Sequence, residues 1–152
     1  HVFVTGLLHD IGKIVLAHFF SDLFQQVLDE VHEEQDKEFY EVERSVIGYD
    51  HGEIGAMLLE RWKFPEVICN AVALHHKRDL PEGRVRFDVA LLRIADVIPQ
   101  ELDLGEEDNL LPSKIKEEDL KLLNMDRSDL GDVRMCLSNA REGIYSMFDA
   151  MS

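Results

Sequence analysis

The chain has 152 residues, with 31 Asp and Glu against 16 Lys and Arg, for a net charge of −15. At 45% hydrophobic and 31% charged residues it has the material for one packed domain rather than a disordered acidic tail, and a chain of this length buries roughly 70% of its unfolded surface. The charge removes any general attraction to phosphate backbones or anionic lipid, so neither nucleic-acid nor membrane partners are expected. By count, no apolar run reaches the ~18 residues of a membrane span. The N-terminus carries no signal-peptide pattern, and a cytoplasmic location is expected.

Helical periodicity runs through nearly the whole chain. Residues 2–20 place Leu7, Leu8, Ile11, Ile14, Val15 and Phe19 at three-and-four spacing. Ser21 is placed to open a second helix carrying Leu23, Phe24, Val27, Leu28 and Val31. A polar break near Gln35–Asp36 precedes a helical stretch to about Ile47, and Gly48 ends it. A further helix begins near Asp50 and carries Ile54, Met57, Leu58 and Trp62. Pro65 suits the first turn of the next, which runs through Val67, Ile68, Ala71 and Val72 to His75–His76.

Residues 78–86 read as a polar turn, 87–98 as a long apolar helix limited by Pro99, and 101–112 as an acidic loop. Two more helices are expected near 115–124 and 130–149, the latter with a stripe of Val133, Cys136, Leu137, Ala140, Ile144, Met147 and Phe148. No useful period-2 run occurs, so the fold class is all-α. The expected organisation is a core over residues 1–100, with 101–152 packing on the same domain. Cys69 and Cys136 form no CxxC and sit in apolar helical contexts, the pattern of buried free thiols in a reducing compartment.

The informative polar residues are those on apolar faces. Asp96 sits among Ile94, Ala95, Val97 and Ile98; His75 and His76 flank the stripe of Ile68, Ala71 and Val72; His9 and Asp10 interrupt Leu7, Leu8, Ile11 and Ile14. A buried lone carboxylate is costly unless paired or bound to a cation. Imidazole and carboxylate together make metal sites. Three helices bring inward His or Asp, and a fourth brings His51 at its first turn, which suits a metal site assembled between helices. His1, His18 and His32 lie outside this set and read as ordinary.

These residues carry a resemblance. Leu7–Lys13 (LLHDIGK) resembles the central signature of the HD superfamily of metal-dependent phosphohydrolases. Asp50–His76, with a His opening one helix and a His pair closing the next, resembles that superfamily's bacterial signalling branches, and Arg93–Ile98 (RIADVI) resembles the helix bearing the last metal-ligating Asp. Order and separations fit the HDOD domain best over about residues 2–100, with HD-GYP phosphodiesterases as near relatives.

The resemblance implies an all-helical, HD-domain-like bundle. It implies His9, Asp10, His51, His75, His76 and Asp96 as metal ligands, Asp10 able to bridge two ions. The metal would be a divalent ion, up to a binuclear centre, of iron, manganese, zinc or nickel. Asp10 and Lys13 would carry any catalysis, with Lys13 facing a substrate phosphate and a metal-activated water as nucleophile. Two departures shape the expectation. The upstream His of HD enzymes has no counterpart before His9, so the chain is expected to lack the first helices of its domain. The GYP signature is also absent after His76. The expected function is a regulatory HDOD-type module with a largely retained metal site, acting on other signalling domains or proteins or on a small phosphorylated ligand. An active phosphohydrolase is the alternative, and a purely structural bundle fits the inward His and Asp least.

Overall fold

The apolar stretch 2–20 folds as two helices rather than one. Helix α1 spans Val2–Leu8 and α2 spans Ile11–Phe19, with His9 closing the first and Asp10 at the N-cap of the second. Asp favours such positions because its carboxylate competes for nearby backbone donors. Here, however, the Asp10 side chain makes no cap bond and is directed to other partners. The break turns His9 toward Asp96 and Asp10 toward His51.

The computed structural model describes residues 1–34, 36–101 and 115–149. The remaining helices among them are α3 (Ser21–Glu33), α4 (Phe39–Val46), α5 (His51–Arg61), α6 (Glu66–Leu74), α7 (Arg84–Glu101), α8 (Glu117–Leu122) and α9 (Arg127–Asp149). No strand occurs among the described residues, and the fold is all-α. Helix α5 opens with a full capping box: Asp50 accepts from the Glu53 backbone N–H at 2.8 Å, and Glu53 accepts from that of Asp50 at 3.1 Å. Gly48, at φ 89°, supplies the left-handed turn that ends α4.

Three apolar clusters hold the helices. Ala56, Leu59, Ile68, Cys69 and Val72 join α5 to α6, with Val4, Leu8 and Ile11 packed on them. Val27, Val31 and Val42 join α3 to α4. Ile94, Ile98, Leu120 and Leu130 tie α7 to α8 and the start of α9. Helices α2, α5 and α6 meet at glycines. A Cβ on Gly12 would lie 1.9 Å from the His51 carbonyl oxygen, and one on Gly52 would lie 2.8 Å from that of Val72. Helices α1 and α7 run parallel and in register: His1 meets Asp88 at 3.2 Å and His9 meets Asp96 at 3.3 Å, both pairs 87 residues apart.

Several expectations are corrected. Val2–Phe19 is 18 residues long with mean hydropathy 1.4, so by length and composition alone it qualifies as a membrane span, although it is divided into α1 and α2 at His9–Asp10. A count of unbroken apolar residues misses it because His9, Asp10 and Lys13 interrupt the run. Helix α7 begins at Arg84 and passes Pro99 to end at Glu101. A proline that close to a helix end removes one N–H without preventing the last turn. Cys69 is buried as expected, but Cys136 is exposed. So are Leu137 and Ala140; of the described members of the α9 stripe, only Val133 packs against the core. The acidic stretch 102–112 and the side chains of Ile144, Met147 and Phe148 lie outside the described residues.

Candidate metal centre

All seven residues singled out from the sequence meet at one place. Their positions follow from the helix ends: His9 and Asp10 from the α1–α2 break, His51 from the first turn of α5, and His75 and His76 from the end of α6. Lys13 comes from the first turn of α2 and Asp96 from the middle of α7. The potential ligands form two adjoining groups, His51–His75–His76 and His9–Asp10–Asp96, each with donor atoms within 4.8 Å of one another. Asp10 links them. Its Oδ1 lies 3.1 Å from His51 Nε2, and its Oδ2 lies 3.6 Å from His9 Nε2 and 2.8 Å from Lys13 Nζ.

The rings are oriented by what their other nitrogens touch. His9 Nδ1 lies 2.8 Å from the Gly6 carbonyl oxygen, and His75 Nδ1 lies 2.6 Å from that of Val72. A carbonyl only accepts, so each Nδ1 donates and Nε2 is left to face the site. His51 Nδ1 lies 2.5 Å from Glu43 Oε2, which turns the His51 Nε2 to Asp10 and to within 2.8 Å of His76 Nε2. This is the arrangement of metal-binding histidines, in which an outer acceptor fixes tautomer and ring orientation.

Charge within the cluster is divided. Burial opposes protonation of His75 and holds it down to about 3, with His51 adding to the effect. Burial, then His75 and His51, push His76 down further still. His9 is also opposed by burial, but its hydrogen bond to Asp96 and the neighbouring Asp10 outweigh that and raise it. His51 is raised likewise: burial opposes its charge, and Asp10 and Glu43 prevail. Burial opposes charge on Asp10 too, yet His51 and Lys13 hold its carboxyl well below the usual carboxylate range.

The donor set fits a divalent cation. His75 Nε2 is buried with no hydrogen-bond partner, a costly state for a polar atom unless an ion or water engages it. Two imidazole nitrogens face each other at 2.8 Å in His51 and His76, and carboxylates stand beside them. Mixed imidazole and carboxylate ligation is what divalent transition metals select. A cleft open to solvent reaches the cluster between His76, Asp96, Tyr40, Arg93, Lys116 and Asp119.

Some participants were not legible beforehand. Glu43 is fully buried behind His51 and lies outside the HD-type motifs. It occupies the stripe Phe39, Val42, Glu43, Val46, so the inward-carboxylate test that finds Asp96 would have found it. Tyr40 stacks on His76 with centroids 4.6 Å apart and planes at 10°; no spacing signal marks it. Arg44, Lys77 and Arg93 stand near the cluster but do not offer it free positive charge. Arg44 and Lys77 instead bind Asp50 and Glu53. Arg93 donates to the carbonyls of His75 and Lys77 and to Asp119.

Helical folding around a His/Asp cluster sets the class, and comparison with known proteins sets the family. The HDOD domain family profile matches residues 1–78, more than half of the chain, and the chain belongs to the HDOD family. A protein of uncharacterised function from Treponema pallidum (strain Nichols) is 30% identical over 93 residues, covering 61% of this chain and 18% of that protein. The crystal structure of a proposed signal transduction protein from Marinobacter aquaeolei VT8 superposes with a TM-score of 0.77 at 22% identity, covering 96% of this chain and 31% of that one. The chain thus spans less than a third of the length of either relative.

Proposed function

We propose that the chain is a regulatory, signal-transduction module of the HDOD family holding a divalent metal at the cluster of His9, Asp10, His51, His75, His76 and Asp96. The observation that carries this reading is the His75 Nε2 atom, buried and unpartnered among imidazoles whose Nδ1 atoms are tied back to acceptors. A bound cation would satisfy that atom and supply Lewis acidity and, for a hydrolytic reaction, an activated water. The chain's own residues orient the donor nitrogens and balance charge around Asp10. The fold it shares with a proposed signal transduction protein supports the signalling role, as does the spending of nearby cations. Arg44, Lys77 and Arg93 are engaged in structural bonds and Lys13 is paired with Asp10, which leaves Lys116 on the cleft wall as the main cation among the described residues to draw a phosphorylated substrate into an acidic protein. Partners in this reading are other signalling domains or proteins, or a small phosphorylated ligand, in the cytoplasm.

A second reading is favoured by the cleft beside the cluster and by Lys13 Nζ, 2.8 Å from Asp10. In it the chain is a metal-dependent phosphohydrolase, with Asp10 and Lys13 catalytic. Hydrolysis of a generic phosphodiester and of cyclic dinucleotides by metal-loaded protein, beside His9→Ala and Asp10→Ala, separates the two. The regulatory reading expects metal without turnover. Turnover lost in both variants would establish the enzyme instead.

A further inference from the structure

We propose that Glu43 is a positioning residue of the metal centre. It sets the ring of His51 so that Nε2 is presented to Asp10 and His76; this rests on the metal-binding reading above. One atom does the work. Glu43 Oε2 accepts from the His51 backbone N–H at 2.9 Å and from its ring Nδ1 at 2.5 Å. Two bonds from one oxygen to one residue fix both the main chain at the first turn of α5 and the rotation of the ring about it.

Among the described residues, the surroundings direct the carboxylate to His51 alone. Glu43 is 0% exposed, and its Oε2 bonds to His51. Its second oxygen, Oε1, is buried without a partner. Its neighbours on that face of α4 are Phe39, Val42 and Val46, an apolar stripe packed on α3. An apolar side chain at this position would suit the core and avoid the cost of burying a carboxylate. The Asp50–Glu53 box serves the backbone N–H groups of Asp50 and Glu53 and leaves that of His51 to Glu43, so the same oxygen anchors the helix start and the ring. What Glu43 adds is an acceptor behind an imidazole whose opposite nitrogen faces the cluster. Outer acceptors of this kind raise the basicity of a metal-binding imidazole as well as orienting it.

The test uses wild type, Glu43→Gln and Glu43→Met. Zn2+ affinity is measured by competition with a chromogenic chelator, and the metal-free proteins are followed by circular dichroism and by imidazole 15N NMR. Glu43→Gln keeps an acceptor but loses the charge. It is expected to fold with near-native helicity and to bind Zn2+ about 10-fold more weakly; Glu43→Met, with no acceptor, should bind about 100-fold more weakly. In the metal-free proteins the hydrogen-bonded Nδ1 proton of His51 should be present in wild type and lost in Glu43→Met. A Glu43→Gln affinity equal to wild type, a loss accounted for by the unfolded fraction, or an unchanged His51 Nδ1 signal in Glu43→Met would each overturn the assignment. Wild-type protein that binds no Zn2+ would instead sink the metal reading, leaving the NMR comparison to judge the orientation of His51.

Discussion

Asp10 Oδ1 lies 3.1 Å from His51 Nε2, and this contact spans the seam between α2 and α5. The other oxygen of the same carboxylate faces His9 and Lys13. Asp10 is therefore the side chain through which the two ligand groups touch. Its replacement by Ala should weaken metal binding at both groups, whereas His9→Ala should leave the His51–His75–His76 group able to bind. Titration of each variant with Zn2+ checks this by stoichiometry. Equal residual binding in the two variants would count against Asp10 as the shared ligand.

The seam depends on a close backbone approach. A Cβ on Gly12 would lie 1.9 Å from the His51 carbonyl oxygen, well inside van der Waals contact and against backbone rather than a yielding side chain. Gly12→Ala must push α2 from α5 and draw Asp10 away from His51. Overpacking of this kind costs about 1–3 kcal/mol, and rigid backbone places Gly12→Ala at the upper end. Urea denaturation should show the loss as a lower midpoint with an unchanged slope. An unshifted midpoint would mean that the crossing is looser than described.

Arg93 and Asp119 should differ in importance although they bind each other at 3.3 Å. Arg93 also holds the carbonyls of His75 and Lys77, so it clamps the turn that presents the His pair. Burial raises the Asp119 carboxyl in spite of Arg93, which marks the ion pair as weakly favourable. Arg93→Met, which strands two carbonyls and a carboxylate, is expected to cost about 2–4 kcal/mol, and Asp119→Asn less than about 1 kcal/mol. Equal losses in thermal or urea unfolding would show that the pair, rather than the clamp, is what stabilises.

The metal-free protein should have a pH optimum of stability set by this cluster. His75 is held down to about 3 and His76 is also lowered, so between about 6.5 and 3 the unfolded chain takes up protons that the folded one refuses. Stability therefore falls as pH drops through that window, by up to about 1.4 kcal/mol per pH unit for each proton. His9 and His51 are raised, so their contribution is complete below about 6.5 and is lost as pH rises through their folded values. The cluster alone gives a maximum near pH 6.5. Unfolding of chelator-treated protein from pH 4 to 8 checks it, and His75→Gln should flatten the acid limb. An acid limb unchanged in that variant would contradict the assignment.

Much of this was legible from residue order, for a physical reason. Inward His and Asp contradict the helical pattern around them, so His9, Asp10, His75, His76 and Asp96 stand out from any apolar face. Helix existence was equally plain, since three-and-four spacing persists from Val2 to Val97. The missing parts were those set by tertiary contact. The α1–α2 break follows from where His9 and Asp10 find partners, and spacing alone reads straight through it. Arg93 looks like spare positive charge until the carbonyls of His75 and Lys77 are seen against it. The exposure of Cys136 follows from the described part of α9, of whose stripe Val133 alone packs on α7 and α8, and an amphipathic stripe does not reveal this.

In the proposed reading, His and Asp from five helices and their junctions converge to hold a divalent metal. Elemental analysis of the purified protein, beside Asp10→Ala and Asp96→Ala, tests it most directly. At least one divalent transition metal per chain is expected in wild type, with clear loss in both variants while helicity is retained. Metal-free wild type after reconstitution with Fe2+, Mn2+, Zn2+ and Ni2+, or folded variants that keep the full metal content, would contradict it.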